Sequence, residues 1–294
     1  MGIPEQQLET WSHQGAVTSS AETHKSIRTA LDAYHWPEGM DYEAYLQGSY
    51  ANSTNIRGNS DVDLVVETGS VFYSNLTDEE KARLRLEPGK FNYRDFRSHV
   101  IQALQKYYGI AKVDTTGDKS IKVAADGNRL KADVVPAVLY REYKDLRVIA
   151  EGITFWSQRT NTQIINYPKR HILNGESKNS QTRTKTIFKK SVRMFKNARE
   201  RIVDSNSSLR PRFPSYFVEC LIYNASDSCF KTTSRDTYTS VLDFLVKKIN
   251  ANEHTKFVCQ NERQWLFGTQ SVQWNADEAT DLVNRLFKLW NEWQ

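Results

Sequence analysis

Gln47-Gly48-Ser49-Tyr50-Ala51-Asn52-Ser53-Thr54-Asn55-Ile56-Arg57-Gly58-Asn59-Ser60-Asp61-Val62-Asp63 is the stretch on which the reading of this chain turns. Leu64-Val65-Val66 follows it, so Val62–Val66 reads as a short buried strand. Alternate side chains of a strand share a face, which points Asp61 and Asp63 one way and Val62 and Leu64 into a core. Glycine at 48 lets backbone come close to an anion, and a serine hydroxyl with amides at a helix start can grip phosphate oxygens. An isolated Asp-x-Asp usually marks an exposed edge or turn, and an isolated Gly-Ser says less. The ordered set is specific: Gly-Ser, eleven residues, Asp-x-Asp on a β-branched strand, and a later lone Asp on a second strand.

That lone residue is Asp133. Ile121–Ala125 and Arg129–Val135 flank Asp126-Gly127, a strong hairpin signal, and the hairpin is expected to bring Asp133 beside Asp61 and Asp63. Two carboxylates about 4 Å apart repel by roughly 4 kcal/mol at an effective dielectric of 20, so three on adjacent strands need cations to stay ionised. Hard oxygen donors suit Mg²⁺, and a pair of such ions is the known device for in-line phosphoryl displacement.

Outward from this centre, a helix is predicted over Thr18–Tyr34, with Ser19 and Ser20 as N-cap candidates and Pro37 ending it. Phe96–Tyr108 fits an amphipathic helix. From about Pro168 the pattern turns helical: Phe188, Val192 and Phe195 form an apolar stripe, Ser215–Tyr223 and Thr239–Ile249 continue it, and Leu282 to Trp293 make a last amphipathic helix. The chain reads as a mixed α/β lobe of about 150 residues followed by a helical lobe.

Composition narrows the function classes. With 39% hydrophobic and 12% aromatic residues in 294, the chain is too apolar to be disordered. No apolar run approaches the roughly 20 residues of a bilayer-spanning helix, and the N-terminus lacks the features of a signal peptide, so a cytoplasmic protein is expected. Cys220, Cys229 and Cys259 are odd in number and widely spaced, as buried structural thiols would be. Residues 158–212 carry 14 Lys and Arg against 3 Asp and Glu, in a chain whose net charge is only +5. Such a segment suits an anionic ligand or, equally, a solvated helix face. Lys189, Arg193 and Lys196, at i, i+4 and i+7, form one basic stripe that can face the acidic site across a cleft.

At these residues the chain resembles the nucleotidyltransferases of the polymerase β type, and more closely the cGAS/DncV-like nucleotidyltransferases, bacterial enzymes that make cyclic oligonucleotide messengers in antiphage defence. Leu46–Val66, Ile165-Asn-Tyr-Pro-Lys169 and Ser191–Arg199 are similar to clade E of that family, and the likeness runs from Trp11-Ser-His-Gln-Gly15 to Leu266-Phe-Gly268. The resemblance implies an α+β fold: a nucleotidyltransferase lobe of mixed sheet and helices over residues 1–155, including the long N-terminal helix, joined to a helical lobe over 156–294, with the active site in the cleft between. It implies a metal-binding catalytic triad at Asp61, Asp63 and Asp133, and a donor-triphosphate turn at Gly48 and Ser49. Lys196 lies on the helix whose lysine contacts the triphosphate in this family. Ser215 and Tyr216 match a pair that touches phosphate and stacks on a base, and Asn166 stands where an asparagine is associated with uracil choice.

The resemblance further implies two Mg²⁺ ions (Mn²⁺ substituting), UTP and ATP as substrates, and a uridine-containing cyclic dinucleotide, cyclic UMP–AMP first, read by a separate effector protein. No coiled-coil heptad appears, so a monomer is expected. The six histidines and three cysteines form no cluster like the zinc insertion of DNA-sensing animal relatives, so DNA activation through that device is not expected; His99 and His171 read as structural. Two rivals stand beside this reading: a transferase adding nucleotides to RNA or protein, and a nucleic-acid-binding module with an inert acidic site.

Overall fold

The computed structural model describes residues 2–57, 61–127, 129–270 and 272–293. Gly58, Asn59 and Ser60 of the stretch quoted above lie outside the described residues. The chain forms two compact units. One comprises Ala16–Tyr50 and Gly58–Pro168; the other comprises Met1–Gly15, Ala51–Arg57 and Lys169–Gln294. Beside the expected division at 155/156, the change of unit comes at 168/169, because one more strand, 163–166, pairs with 153–156 before the chain turns helical. Residues 1–15 and 51–57 join the helical unit.

In chain order the elements are α1 (Glu5–Ser12), α2 (Thr18–Asp32), β1 (Glu43–Leu46), α3 (Gly48–Ala51), β2 (Val62–Ser74), α4 (Asp78–Arg83), α5 (Tyr93–Tyr108), β3 (Val113–Asp114), β4 (Ile121–Val123) and β5 (Ala132–Lys144). β6 (Arg147–Trp156), β7 (Gln163–Asn166), α6 (Pro168–Lys178), α7 (Ile187–Ser205), α8 (Ser215–Tyr223), α9 (Ser234–Asn250) and α10 (Ala276–Asn291) follow.

In the sheet unit, β2 and β5 are parallel neighbours in the register Val62↔Ala132, Asp63↔Asp133, Leu64↔Val134. β1 pairs antiparallel with the outer edge of β2. The other edge of β5 is shared: β4 takes Ala132–Val134, and β6 takes the strand from Val138 onward and carries β7. The Asp126-Gly127 turn forms as expected, with Asp126 and Arg129 exchanging backbone hydrogen bonds of 3.0 and 2.9 Å. That hairpin aligns β4 with β5; the parallel β2–β5 pairing is what brings Asp133 beside Asp63.

β2 runs to Ser74, well past the expected Val66. Its register shifts between Thr68 and Phe72, and the Asp41 carboxylate accepts from the Gly69 and Ser70 amides at 3.1 and 3.0 Å, satisfying backbone that leaves the ladder there. Ile27, Ala30 and Leu31 of α2 and Phe96, Val100 and Leu104 of α5 close this core over Val62, Leu64 and Val134. Ser19 and Ser20 do not cap α2. The helix begins at Thr18, and the Ser20 hydroxyl donates back to Val17 O at 2.7 Å. α5 instead begins on a reciprocal cap between Asn92 and Asp95.

The helical unit packs the α7 stripe Phe188, Val192 and Phe195 against Phe217 and Leu221 of α8, Tyr238, Val241 and Leu245 of α9 and Leu282, Val283 and Leu286 of α10. α8 starts and stops where the sequence placed it. α10 ends at Asn291, yet Trp293 still packs edge-on to Trp11, 5.4 Å between ring centres. Residues 2–15 belong here because Ile3 and Leu8 enter this core and because both Glu5 carboxylate oxygens accept amides at the α9 N-terminus, from Ser234 and Arg235, each at 2.7 Å. The three cysteines are buried free thiols. Among the described residues no helix is long and apolar enough to cross a membrane.

Candidate active site

Asp63 and Asp133 stand opposite one another on adjacent strands, and Asp61 lies just ahead of β2, two residues before Asp63. Gln47 N donates to Asp63 O at 2.9 Å, which seats the Gly48-Ser49 turn over the end of the strand. Gly48 adopts φ +67°, and a Cβ built there would lie 2.6 Å from Asp63 Oδ2. Only glycine fits a backbone that passes so close to this carboxylate. Ser49 follows, half-buried.

The electrostatics are those of crowded carboxylates. Burial, then the charges of Asp133 and Asp61, push the Asp63 carboxyl up to about 6. Burial also raises Asp133, against the pull of Lys131. Asp133 Oδ1 is buried and has no hydrogen-bond partner. Lys131 Nζ lies 2.5 Å from Asp61 Oδ2, a half-exposed contact of small net worth that raises the lysine pKa.

Three carboxylates, one offering an unpartnered buried oxygen, fit a hard divalent cation. As they stand, no three His, Cys, Asp or Glu side chains among the described residues are drawn together closely enough to hold a metal ion; Asp61 is engaged by Lys131. The fit lies in the donor set and its register.

Asn166 closes β7. Its Oδ1 accepts from Tyr167 N at 2.8 Å, which orients the amide. In the helical unit, Ser215 is exposed at the first turn of α8. Tyr216 behind it is partly buried, stacked on His171 at 5.0 Å and on Trp274 at 5.6 Å between ring centres.

The basic stripe of α7 departs from expectation. Lys189, Arg193 and Lys196 form neither a solvated face nor an open anion surface; all three are buried. Lys189 pairs with Glu176, and Arg193 donates to Ser12 O at 2.6 Å and to Ser53 O. Lys196 Nζ, expected to reach a triphosphate, is committed to Glu219 Oε2 at 2.7 Å, Thr54 Oγ1 at 2.9 Å and Thr54 O at 3.3 Å. Burial would lift the Glu219 carboxyl, but Lys196 and His171 outweigh it and hold it well below the usual range. Sequence reasoning misses Glu219 and Thr54. A signal for Glu219 exists: it is the one charge inside the apolar run Tyr216-Phe217-Val218-Glu219-Cys220-Leu221-Ile222. Thr54 offers none.

Comparison with known proteins identifies the family of both units. Residues 27–110 match the nucleotidyltransferase domain model, and residues 173–291 match that of the cGAS/DncV-like nucleotidyltransferase C-terminal helical domain. The chain is 45% identical over 297 residues to the cyclic UMP-AMP synthase of Rhodothermus marinus, covering 100% of this chain and 99% of that one. The solved structure of the Rhodothermus marinus c-UMP-AMP synthase with Apcpp and Upnpp superposes with a TM-score of 0.91 at 44% identity, covering 99% of this chain and 97% of that one. The cyclic dinucleotide synthase of Elizabethkingia meningoseptica with GTP and Apcpp follows at 0.78 and 28%, covering 98% of each. Likeness of this extent reaches beyond fold, and the chain belongs to the cGAS/DncV-like nucleotidyltransferases as an enzyme of cyclic dinucleotide synthesis.

Proposed function

We propose that this enzyme joins UTP and ATP into cyclic UMP–AMP, in the cytoplasm, as a messenger of antiphage defence read by a separate effector. The observation that carries the reading is the Asp63–Asp133 pair beneath the Gly48 turn, in a chain that aligns from end to end with a cyclic UMP-AMP synthase. Nucleotidyltransferases generally use a divalent metal. Here Asp61, Asp63 and Asp133 would hold two Mg²⁺ ions, with Mn²⁺ able to substitute, and these supply charge neutralisation and a more acidic attacking hydroxyl.

The rest is done by the chain. Asp133, with its unpartnered oxygen, receives the proton of the attacking 3′- or 2′-hydroxyl as that oxygen bonds the α-phosphorus and pyrophosphate leaves. The Gly48 backbone and the Ser49 and Ser215 hydroxyls orient the phosphates. Lys196 acts through Thr54, which it holds. Tyr216 would stack on a base by giving up one of the rings it now meets, His171 or Trp274. A second turn of the same chemistry closes the ring. The enzyme works as a monomer.

Incubation with all four labelled ribonucleoside triphosphates and Mg²⁺, then phosphatase treatment and mass spectrometry, tests this. A phosphatase-resistant product with the mass of cyclic UMP–AMP, absent in Asp61→Ala, Asp63→Ala, is the expected outcome. Label on RNA or protein would replace this reading with the macromolecule-modifying one.

Base choice makes a separate prediction. Because Asn166 Oδ1 already serves Tyr167 N, the amide faces a ligand mainly with its N–H donors. Those suit the O4 acceptor of uracil, where cytosine presents an amino donor. Asn166→Ala is expected to lower UTP preference in competition by about tenfold, the worth of one well-formed hydrogen bond. An unchanged uridine fraction would remove Asn166 from base selection.

A further inference from the structure

Residues 51–57 occupy a particular place in the chain. They lie in the chain between the Gly48-Ser49 turn and the Asp61-x-Asp63 stretch, yet they belong to the compact unit that contains α6–α10. Four of them are held by side chains or backbone from distant parts of that unit. Ser53 O accepts from Arg193, with Ser53 itself in the left-handed region at φ +55°. Thr54 Oγ1 donates to Glu219 Oε2 at 2.8 Å and accepts from Lys196. Asn55 exchanges hydrogen bonds with Gly15 at 3.0 Å in each direction and accepts from Gln14 at 2.8 Å. Arg57 pairs with Glu200 at 2.8 Å.

The innermost of these anchors is a buried network. Glu219 Oε1 meets His171 Nε2 at 3.0 Å, and Glu219 Oε2 receives both Lys196 and Thr54; all four residues are buried. Gln260, also buried, donates to His171 O at 2.8 Å. Ionic groups this deep add little net stability over an apolar filling of the same volume, because desolvation offsets their attraction. What they supply is direction: short, charge-assisted bonds that fix where a segment lies.

We propose that Thr54 and Glu219 are positioning residues for nucleotidyl transfer, the Glu219–Lys196–His171 network holding residues 51–57 so that the phosphate-gripping turn and the acidic strand at its two ends keep their working geometry. The inference rests on the proposed function for its chemistry. It adds residues that touch neither substrate nor metal and act through the segment they hold.

The test is Thr54→Val, which keeps shape and removes the hydroxyl, beside Thr54→Ser, which keeps the hydroxyl. The readouts are kcat and KM with ATP, UTP and Mg²⁺, thermal melting, and hydrogen exchange across residues 47–63. Thr54→Val is expected to lower kcat per folded enzyme by about tenfold or more, as a small misplacement of catalytic groups does, with KM held, the melting temperature lower by a few degrees for the lost buried hydrogen bonds, and both restored in Thr54→Ser. Exchange at Gly48–Tyr50 and Asp61–Asp63 quickens in the same variant. Should Thr54→Val not fold, Thr54→Ala, which also removes the hydroxyl and leaves the Glu219–Lys196 pair in place, takes its place with the same expectations. Wild-type kcat in these variants, or a loss of kcat that tracks a loss of folded protein, overturns the proposal. If wild-type enzyme makes no cyclic product, the function reading fails and exchange alone decides: unchanged exchange at the two motifs overturns the positioning role, and faster exchange upholds it.

Discussion

Asp63→Asn is expected to leave the metal-free enzyme more stable and almost without activity. The wild-type carboxyl is largely buried beside Asp133, and its pKa stands at about 6, above the ordinary aspartate value of 3.8. A carboxyl whose folded pKa is raised binds its proton more tightly in the folded state. Its contribution to stability is therefore whole below about pH 4 and is lost as pH rises through about 6. At pH 8 the wild-type protein carries that loss, and asparagine, which cannot ionise, does not. The variant should gain about 2 kcal/mol at pH 8, a rise of a few degrees in melting temperature, and gain nothing at pH 4. Millimolar Mg²⁺ should raise the wild-type melting temperature by mass action and leave the variant nearly unmoved. Product formation should fall at least about a thousandfold, since an ionised ligand of the reacting centre is gone. Melting curves at the two pH values, with and without Mg²⁺, check all of this; a variant less stable than wild type at pH 8 would contradict the reading of Asp63 as a strained, cation-seeking carboxylate.

The same residues show what could be read from sequence and what could not. Asp63 on one strand and Asp133 on its neighbour, the α7 stripe and the limits of α8 all rest on local periods of 2 and 3.6, and these periods survive folding. β2 hid its second half because Glu67-Thr68-Gly69-Ser70 reads as a break. The strand resumes only because Asp41, 28 residues before Gly69, satisfies the bulged amides. The α7 cations misled for a related reason. Spacing gives their shared face, while the partners that bury them are Ser12, Ser53, Thr54, Glu176 and Glu219. Thr54 and Glu219 meet across 165 residues of chain, and no local pattern encodes such a meeting. The make-up of the two units rests on meetings of the same kind: Glu5 at the α9 N-terminus and residues 51–57 against α7 and α8 are tertiary choices.

Gly48→Ala separates geometry from stability in the opposite sense to Asp63→Asn. At φ +67° an alanine pays the left-handed penalty of about 1–2 kcal/mol, and its Cβ would sit 2.6 Å from Asp63 Oδ2, so the carboxylate or the turn must move. A displacement of this order at a catalytic group costs about a hundredfold in kcat. Gly39 supplies the control, for it has φ +83° and a Cβ added there would meet nothing within 4 Å. Gly39→Ala therefore carries the backbone penalty without the clash, and should lose comparable stability while keeping kcat. Adding Asp63→Ala to Gly48→Ala removes the clashing oxygen and should shrink the stability cost of the glycine change to that seen at Gly39, a coupling that a double-mutant cycle reads directly. Equal kcat losses at positions 39 and 48, or no coupling between 48 and 63, would show that the turn works by its backbone conformation alone. The expected pattern, with coupling at 48 and none at 39, means that the chain keeps glycine at 48 to leave room for the Asp63 carboxylate beneath the turn.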